Sequence, residues 1–153
     1  MNLINRDTDY AIKALMYIAK ERPERVSVSE LAKESEIPHP FLRKILQILN
    51  KKGVLNSYKG KSGGFLLALR PDQIFLADLI KIFQGPVKMS KCIFKEEICP
   101  HIGTCALKKK IDALEKHVVS ELKSITLASL LDEESSFLTN TNALNEVSLR
   151  GTK

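Results

Sequence analysis

All three cysteines of this 153-residue chain fall in one short stretch, Cys92–Ile93–Phe94–Lys95–Glu96–Glu97–Ile98–Cys99–Pro100–His101–Ile102–Gly103–Thr104–Cys105. Six residues separate the first pair and five the second. An odd number of thiols in a chain expected to be cytoplasmic argues against structural disulfides, and leaves metal binding, redox chemistry or simple burial. A structural zinc site would favour Cys-x2-Cys pairs, which this spacing does not provide. A thiol cluster is useful as a signal receiver only if the elements around it do something that the signal can alter, so the flanking sequence decides its meaning.

The net charge is +6 and the sequence pI about 9.2, a balance that favours polyanionic partners. The charge is concentrated. Residues 43 to 70 hold Arg43, Lys44, Lys51, Lys52, Lys59, Lys61 and Arg70 and no acidic residue. The N-terminus, Met1–Asn2–Leu3–Ile4–Asn5–Arg6–Asp7, lacks the apolar segment of a signal peptide. No run approaches the roughly 20 apolar residues of a membrane span. No Ser/His/Asp-type constellation suggests an enzyme, and an electron carrier would have no use for the basic half.

The elements around the cysteines read as follows. Residues 7 to 21 carry Tyr10, Ala11, Ala14, Leu15, Ile18 and Ala19 at helical spacing, with Asp7 or Thr8 as cap. Asp9 falls in the first turn, where the helix dipole favours a carboxylate. Pro23 ends that helix. Ser27–Val28–Ser29–Glu30 has the form of a capping box and opens a short second helix. After Ser35–Glu36–Ile37–Pro38, a third helix is expected from His39 to Lys51. Its apolar face is Phe41, Leu42, Ile45, Ile48 and Leu49, and its outer face is Arg43, Lys44, Gln47, Asn50 and Lys51. Two short helices joined tightly, the second basic outside, make a helix-turn-helix.

A hairpin follows directly: Val54–Tyr58, the turn Lys59–Gly60–Lys61–Ser62–Gly63–Gly64, and Phe65–Leu69. This is the wing of a winged helix-turn-helix. Its glycines allow close approach to DNA, and Lys59 and Lys61 reach phosphates or the minor groove. The glycine string lacks the GxxxxGK[ST] pattern and precedes a strand, so it is not a nucleotide-binding loop. A helix with Leu79, Ile80 and Phe83 on one face stops at Gly85–Pro86. After Cys105, the residues Leu107, Ile111, Leu114, Val118, Leu122 and Ile125 form one narrow apolar stripe, which wants a partner helix and predicts a homodimer. The expected organisation is a winged helix-turn-helix domain over 1–86, a cysteine loop over 87–105, a dimerisation helix region over 106–131 and an unstructured tail over 132–153. The fold class is mainly α with a small β wing and a long dimerisation helix.

Thr8–Asp9–Tyr10–Ala11, Ile37–Pro38–His39–Pro40–Phe41–Leu42–Arg43–Lys44–Ile45–Leu46, Gly60–Lys61–Ser62–Gly63–Gly64–Phe65 and the three cysteines before a long helix together resemble the Rrf-two family of winged-helix transcription factors, in particular its IscR- and NsrR-like, iron–sulfur-binding members. The resemblance covers residues 1 to 131. It implies a homodimeric repressor or activator on double-stranded DNA, whose affinity responds to iron, oxygen or nitric oxide through an iron–sulfur cluster. The ligands implied are Cys92, Cys99 and Cys105, with [2Fe-2S] and [4Fe-4S] both open. Clusters usually take four protein ligands, so three cysteines leave one labile position, which suits a sensor. IscR-like members use a His three residues after the last cysteine, where this chain has Lys108. NsrR-like members use a first-helix carboxylate of the other subunit, a position matched by Asp9. His101 and Glu97 are nearby competitors. The resemblance places DNA contacts at Pro40, Arg43, Lys44 and Lys59, joined by Lys61 from the wing. Where IscR carries a Glu, Arg43 stands here; Arg favours guanine O6 and N7 whereas Glu accepts from cytosine. The alternative is a metal-free regulator of the same fold that senses by thiol oxidation.

Overall fold

The computed structural model describes residues 3–22, 24–89 and 103–137. Its elements are α1 (Arg6–Lys20), α2 (Val28–Ser35), α3 (His39–Lys51), β1 (Leu55–Tyr58), β2 (Gly64–Leu67), α4 (Leu76–Gln84), α5 (Ala106–Ser124) and a further helix, α6, over residues 127–137. The two strands pair antiparallel with Leu55 opposite Leu67 and Tyr58 opposite Gly64. A mainly helical fold with a small wing is thus what the sequence forms.

The three N-terminal helices exist for the expected reason, one apolar stripe each. Ala11, Ala14, Leu15 and Ile18 of α1, Leu31 of α2, and Leu42, Ile45, Leu46 and Leu49 of α3 bury fully or nearly so in one core. Val54, Leu55 and Leu67 extend that core under the wing. Two assignments on α3 change. Phe41, expected inside, is 49% exposed, while Leu46 is buried. The buried arc is centred on Leu42 and Leu49, and at 100° per residue Phe41 lies a quarter turn from that centre, beyond the arc's edge at Ile45.

The α1 N-cap is Asn5 rather than Asp7 or Thr8. Asn5 Oδ1 accepts from Thr8 N–H at 2.8 Å. This frees Thr8 for a different task. Its side chain is completely buried, and its hydroxyl lies 2.8 Å from Asn5 Oδ1 and 3.0 Å from Gln84 Oε1. Gln84 also accepts from the Asn5 N–H at 2.9 Å and donates from Nε2 to the Leu3 carbonyl at 2.9 Å. One polar knot therefore bolts the start of α1 to the end of α4. Ser27 caps α2 as anticipated, accepting from Glu30 N–H at 3.1 Å.

The chain then closes on itself. Phe75 and Thr126 form an antiparallel bridge: Leu76 N–H donates to the Ile125 carbonyl at 2.9 Å and Leu127 N–H to the Ile74 carbonyl at 2.8 Å. Leu127 sits in the main core at 1% exposure, and Leu131 packs against it. A smaller core of Leu76, Ile80 and Leu122 binds α4 to the root of α5, with Ile4, Val87 and Val118 around it. Residues 126–131 are therefore not an end piece of a dimerisation helix. They begin α6, which returns to the winged domain and continues through 137, past the boundary expected at 131. Lys20 Nζ and Glu134 Oε2 meet at 2.7 Å across α1 and α6. Residues 138–153 of the expected tail lie outside the described residues.

The closure makes a prediction. Leu127→Ala should lower unfolding free energy by about 2–5 kcal/mol, the cost of deleting a large aliphatic side chain from a closed core. The denaturant midpoint should fall with an unchanged slope. A loss below about 0.5 kcal/mol would mean that the segment does not belong to the core.

Candidate nucleic-acid interface and cysteine helix

α3 presents to solvent the face that the sequence predicted, except that Asn50 is half-buried. Pro40, Arg43, Lys44, Gln47 and Lys51 are exposed, opposite the buried Leu42–Ile45–Leu46–Leu49 arc. His39 and Pro40 form the first turn. Pro38 is the N-cap and no side chain caps it, so the helix meets solvent at its N-terminal end. A helix whose N-terminal turn and basic face are both open has the shape and charge for the major groove and its flanking phosphates.

The wing stands beside it. Lys59 and Lys61 are exposed at the tip. The tip is tight because of its glycines. Gly60 has φ 101°, and Gly63 N–H donates to the Gly60 carbonyl at 3.0 Å. A Cβ on Gly63 would lie 2.5 Å from the Tyr58 carbonyl oxygen, and one on Gly64 would lie 2.7 Å from that of Val26. The second contact reflects an extra pairing: Val26 and Phe65 exchange backbone hydrogen bonds at 3.1 and 2.9 Å, adding a third short edge to the hairpin.

Two arginines of the α1–α2 loop brace this wing, and sequence reasoning missed both. The Arg25 guanidinium lies 4.0 Å from the Tyr58 ring centroid, and its Nη1 is 3.4 Å from the Ser62 carbonyl it donates to. Arg22 Nη2 approaches the Leu67 carbonyl at 3.4 Å. The pairs are more than thirty positions apart, so no local pattern announces them. Stacking of a guanidinium on a tyrosine is worth about 0.5–1 kcal/mol at an exposed site. That is enough to bias a short hairpin towards one position.

The second candidate region is the start of α5. Cys105 is its N-cap, and Cys105 Sγ accepts from Lys108 N–H at 3.4 Å. The first turn contains no acidic residue. Lys108 is turned away from the sulfur at its far end, with Nζ 2.6 Å from Asp112 Oδ2. Cys92, Cys99, Glu97 and His101 lie outside the described residues. Among the described residues, no group of three or more His, Cys, Asp or Glu side chains is placed to hold a metal.

Asp9 is near the start of α1, half-exposed, with Oδ2 2.7 Å from Lys13 Nζ. The knot at Asn5, Thr8 and Gln84 fixes its helix to the end of α4, from which the chain runs on to Met89. Met89 N–H donates to Glu115 Oε2 at 2.9 Å. From Glu115, α5 continues back to Cys105 over ten residues, about 15 Å. Along this arm Leu107 is 71% exposed and Leu114 52%, so the apolar stripe does not pack on its own domain there.

A family model described as "Rrf2: Iron-dependent Transcriptional regulator" matches residues 4–133. A putative HTH-type transcriptional regulator of Aquifex aeolicus is 36% identical over 131 residues, covering 84% of this chain and 91% of that one. Among solved structures, CymR, the global cysteine regulator of B. subtilis, superposes with TM-score 0.73 at 23% identity, over 87% of this chain and 98% of that one. T. potens IscR superposes with TM-score 0.67 at 24% identity, over 86% of this chain and 87% of that one. At these identities the two structures speak to the winged-helix fold.

For the wing, Lys59→Ala should weaken binding to all duplex sequences alike and reduce the slope of log affinity against log salt by about one. Filter or anisotropy titrations at several salt concentrations measure it. An unchanged slope would place the wing tip off the DNA.

Proposed function

The chain belongs to the Rrf2 family of transcriptional regulators, and from that premise we propose that it is a cytoplasmic homodimer whose affinity for double-stranded DNA is set by an iron–sulfur cluster responding to iron, oxygen or nitric oxide. It is a regulator, not an enzyme. The observation that carries the sensing half of the proposal is Cys105. The last of three clustered thiols, it is fixed at the N-cap of α5 with its sulfur 3.4 Å from the Lys108 N–H, and cysteine sulfurs are the usual ligands of iron–sulfur clusters.

Cys92, Cys99 and Cys105 would hold the cluster, with Asp9 as the fourth ligand. When bound, the group supplies iron that reacts with oxygen or nitric oxide and so converts a chemical signal into a change of ligation. The remaining work belongs to the chain. Lys108 is engaged with Asp112 and does not compete for the metal. Asp9 gives up only an exposed i,i+4 pair with Lys13, worth about 0.3–0.5 kcal/mol, to become a ligand. The arm carrying Cys105 projects beyond its own domain. This favours a ligand from the partner subunit, whose α5 would also cover the stripe of Leu107, Ile111, Leu114 and Val118. Two recognition helices held by one rigid dimer fit half-sites about one helical turn apart.

The second reading is a metal-free regulator of the same fold that senses by thiol oxidation. The fold is shared with CymR, the global cysteine regulator, as well as with IscR. Colour separates the two. Protein made without oxygen should be brown, and its visible absorption should bleach with nitric oxide or oxygen; colourless, iron-free protein after reconstitution would leave the thiol reading. Asp9→Ala should shorten cluster lifetime several-fold while Lys108→Ala leaves it unchanged. The opposite pattern would refute the fourth-ligand assignment.

A further inference from the structure

We propose that Phe41 is a specificity-determining residue that reads the C5-methyl group of a thymine in the major groove. The inference rests on the DNA-binding reading of α3 and is independent of any cluster. Phe41 is a large aromatic side chain left 49% exposed in the first full turn of α3. It lies outside the buried cluster, to which α3 contributes Leu42, Ile45, Leu46 and Leu49.

Its surroundings define the partner. At 100° per residue it lies about 60° round the helix from Lys44 and about 20° from the half-buried Ile48, at the edge between the exposed strip of Pro40, Gln47 and Lys51 and the buried arc. α3 contains no acidic residue. A single half-exposed ring at the edge of a basic face is too small a patch to dock a protein. The extended apolar stripe suited to a second copy is on α5, at Leu107 and Leu114. One ring is the right size for one methyl group, and apolar contact with the thymine methyl is an established mode of major-groove readout. The open N-terminal end of α3 would bring a phosphate to the same turn, which fixes the ring against the base edge rather than the backbone. Arg43 and Phe41 would then read a guanine and a thymine within one half-site.

Duplexes selected from a randomised library by the full-length protein supply the probe. Each thymine of the selected site is replaced in turn by deoxyuridine, which removes only the methyl. Binding is measured for the wild type, Phe41→Leu and Phe41→Ala. Wild type should lose about fourfold at one thymine per half-site, the value of one buried methyl. Phe41→Leu should keep most of that discrimination. Phe41→Ala should bind the thymine duplex more weakly and no longer distinguish it from the deoxyuridine duplex. Because the ring is half-exposed and outside the core cluster, both variants should stay folded, with thermal unfolding close to that of wild type.

The proposal is overturned if no thymine is sensitive, or if the sensitivity survives intact in Phe41→Ala. A change of oligomeric state in Phe41→Ala, seen by sedimentation, would instead assign the ring to an interface between copies and also overturn it. Failure of the wild type to enrich any sequence would remove the sequence-reading role of α3 itself, and the proposal with it.

Discussion

Two backbone hydrogen bonds, Leu76 N–H to Ile125 and Leu127 N–H to Ile74, hold together the part of this protein that reads and the part that could respond. They join the start of α4 to the junction of α5 and α6. Without them α5 would be held to the winged domain only by the small apolar core of Leu76, Ile80 and Leu122. With them its root is fixed by Leu122 on one side and by Leu127 in the main core on the other. A displacement at the Cys105 end of α5 must then move against a domain to which the helix is rigidly joined. Packed interfaces of this kind shift between discrete arrangements rather than bending smoothly.

The polar knot of Asn5, Thr8 and Gln84 serves the other end of α4. A buried threonine hydroxyl is tolerated because two side-chain amide oxygens flank it; unpaired, it would cost about 1–3 kcal/mol. Its effect is to give Asp9 and the last turn of α4 one frame of reference. α1 also packs directly on α3, so that frame extends to α3. A carboxylate on α1 and a guanidinium on α3 are thus separated by packed side chains and not by loops.

On the DNA side, rigidity is distributed differently. α3 is held by its apolar arc, but the wing is a hairpin of two four-residue strands, too short to be stable alone. Its position comes from outside it: the Val26–Phe65 pairing, the Arg25 stack on Tyr58 and the closure of Gly63 onto Gly60. The lysines at the tip keep their freedom while the backbone beneath them does not. Flexible cations on a fixed base suit phosphate contacts, which need charge more than exact geometry.

Local chemistry alone made much of this legible. The order of helices and strands, the α3 limits at His39 and Lys51, the Ser27 cap and the glycine turn of the wing follow from periodicity, capping and turn rules acting within a few residues. Those rules also isolated the cysteine stretch and the basic face. They could not decide which edge of an apolar stripe is covered, because that depends on what packs there. So Phe41 came out and Leu46 went in. They could not identify Asn5 as cap, since Thr8 was drawn into a contact with Gln84, seventy-six positions away. Nor could they show that residues 126–131 return to the core, because a backbone bridge to Phe75 has no side-chain signature. Sequence determined which elements form and which residues carry charge and thiols. Tertiary structure decided which faces are buried and where the chain closes, because burial and long-range hydrogen bonds are properties of pairs of segments and not of either one.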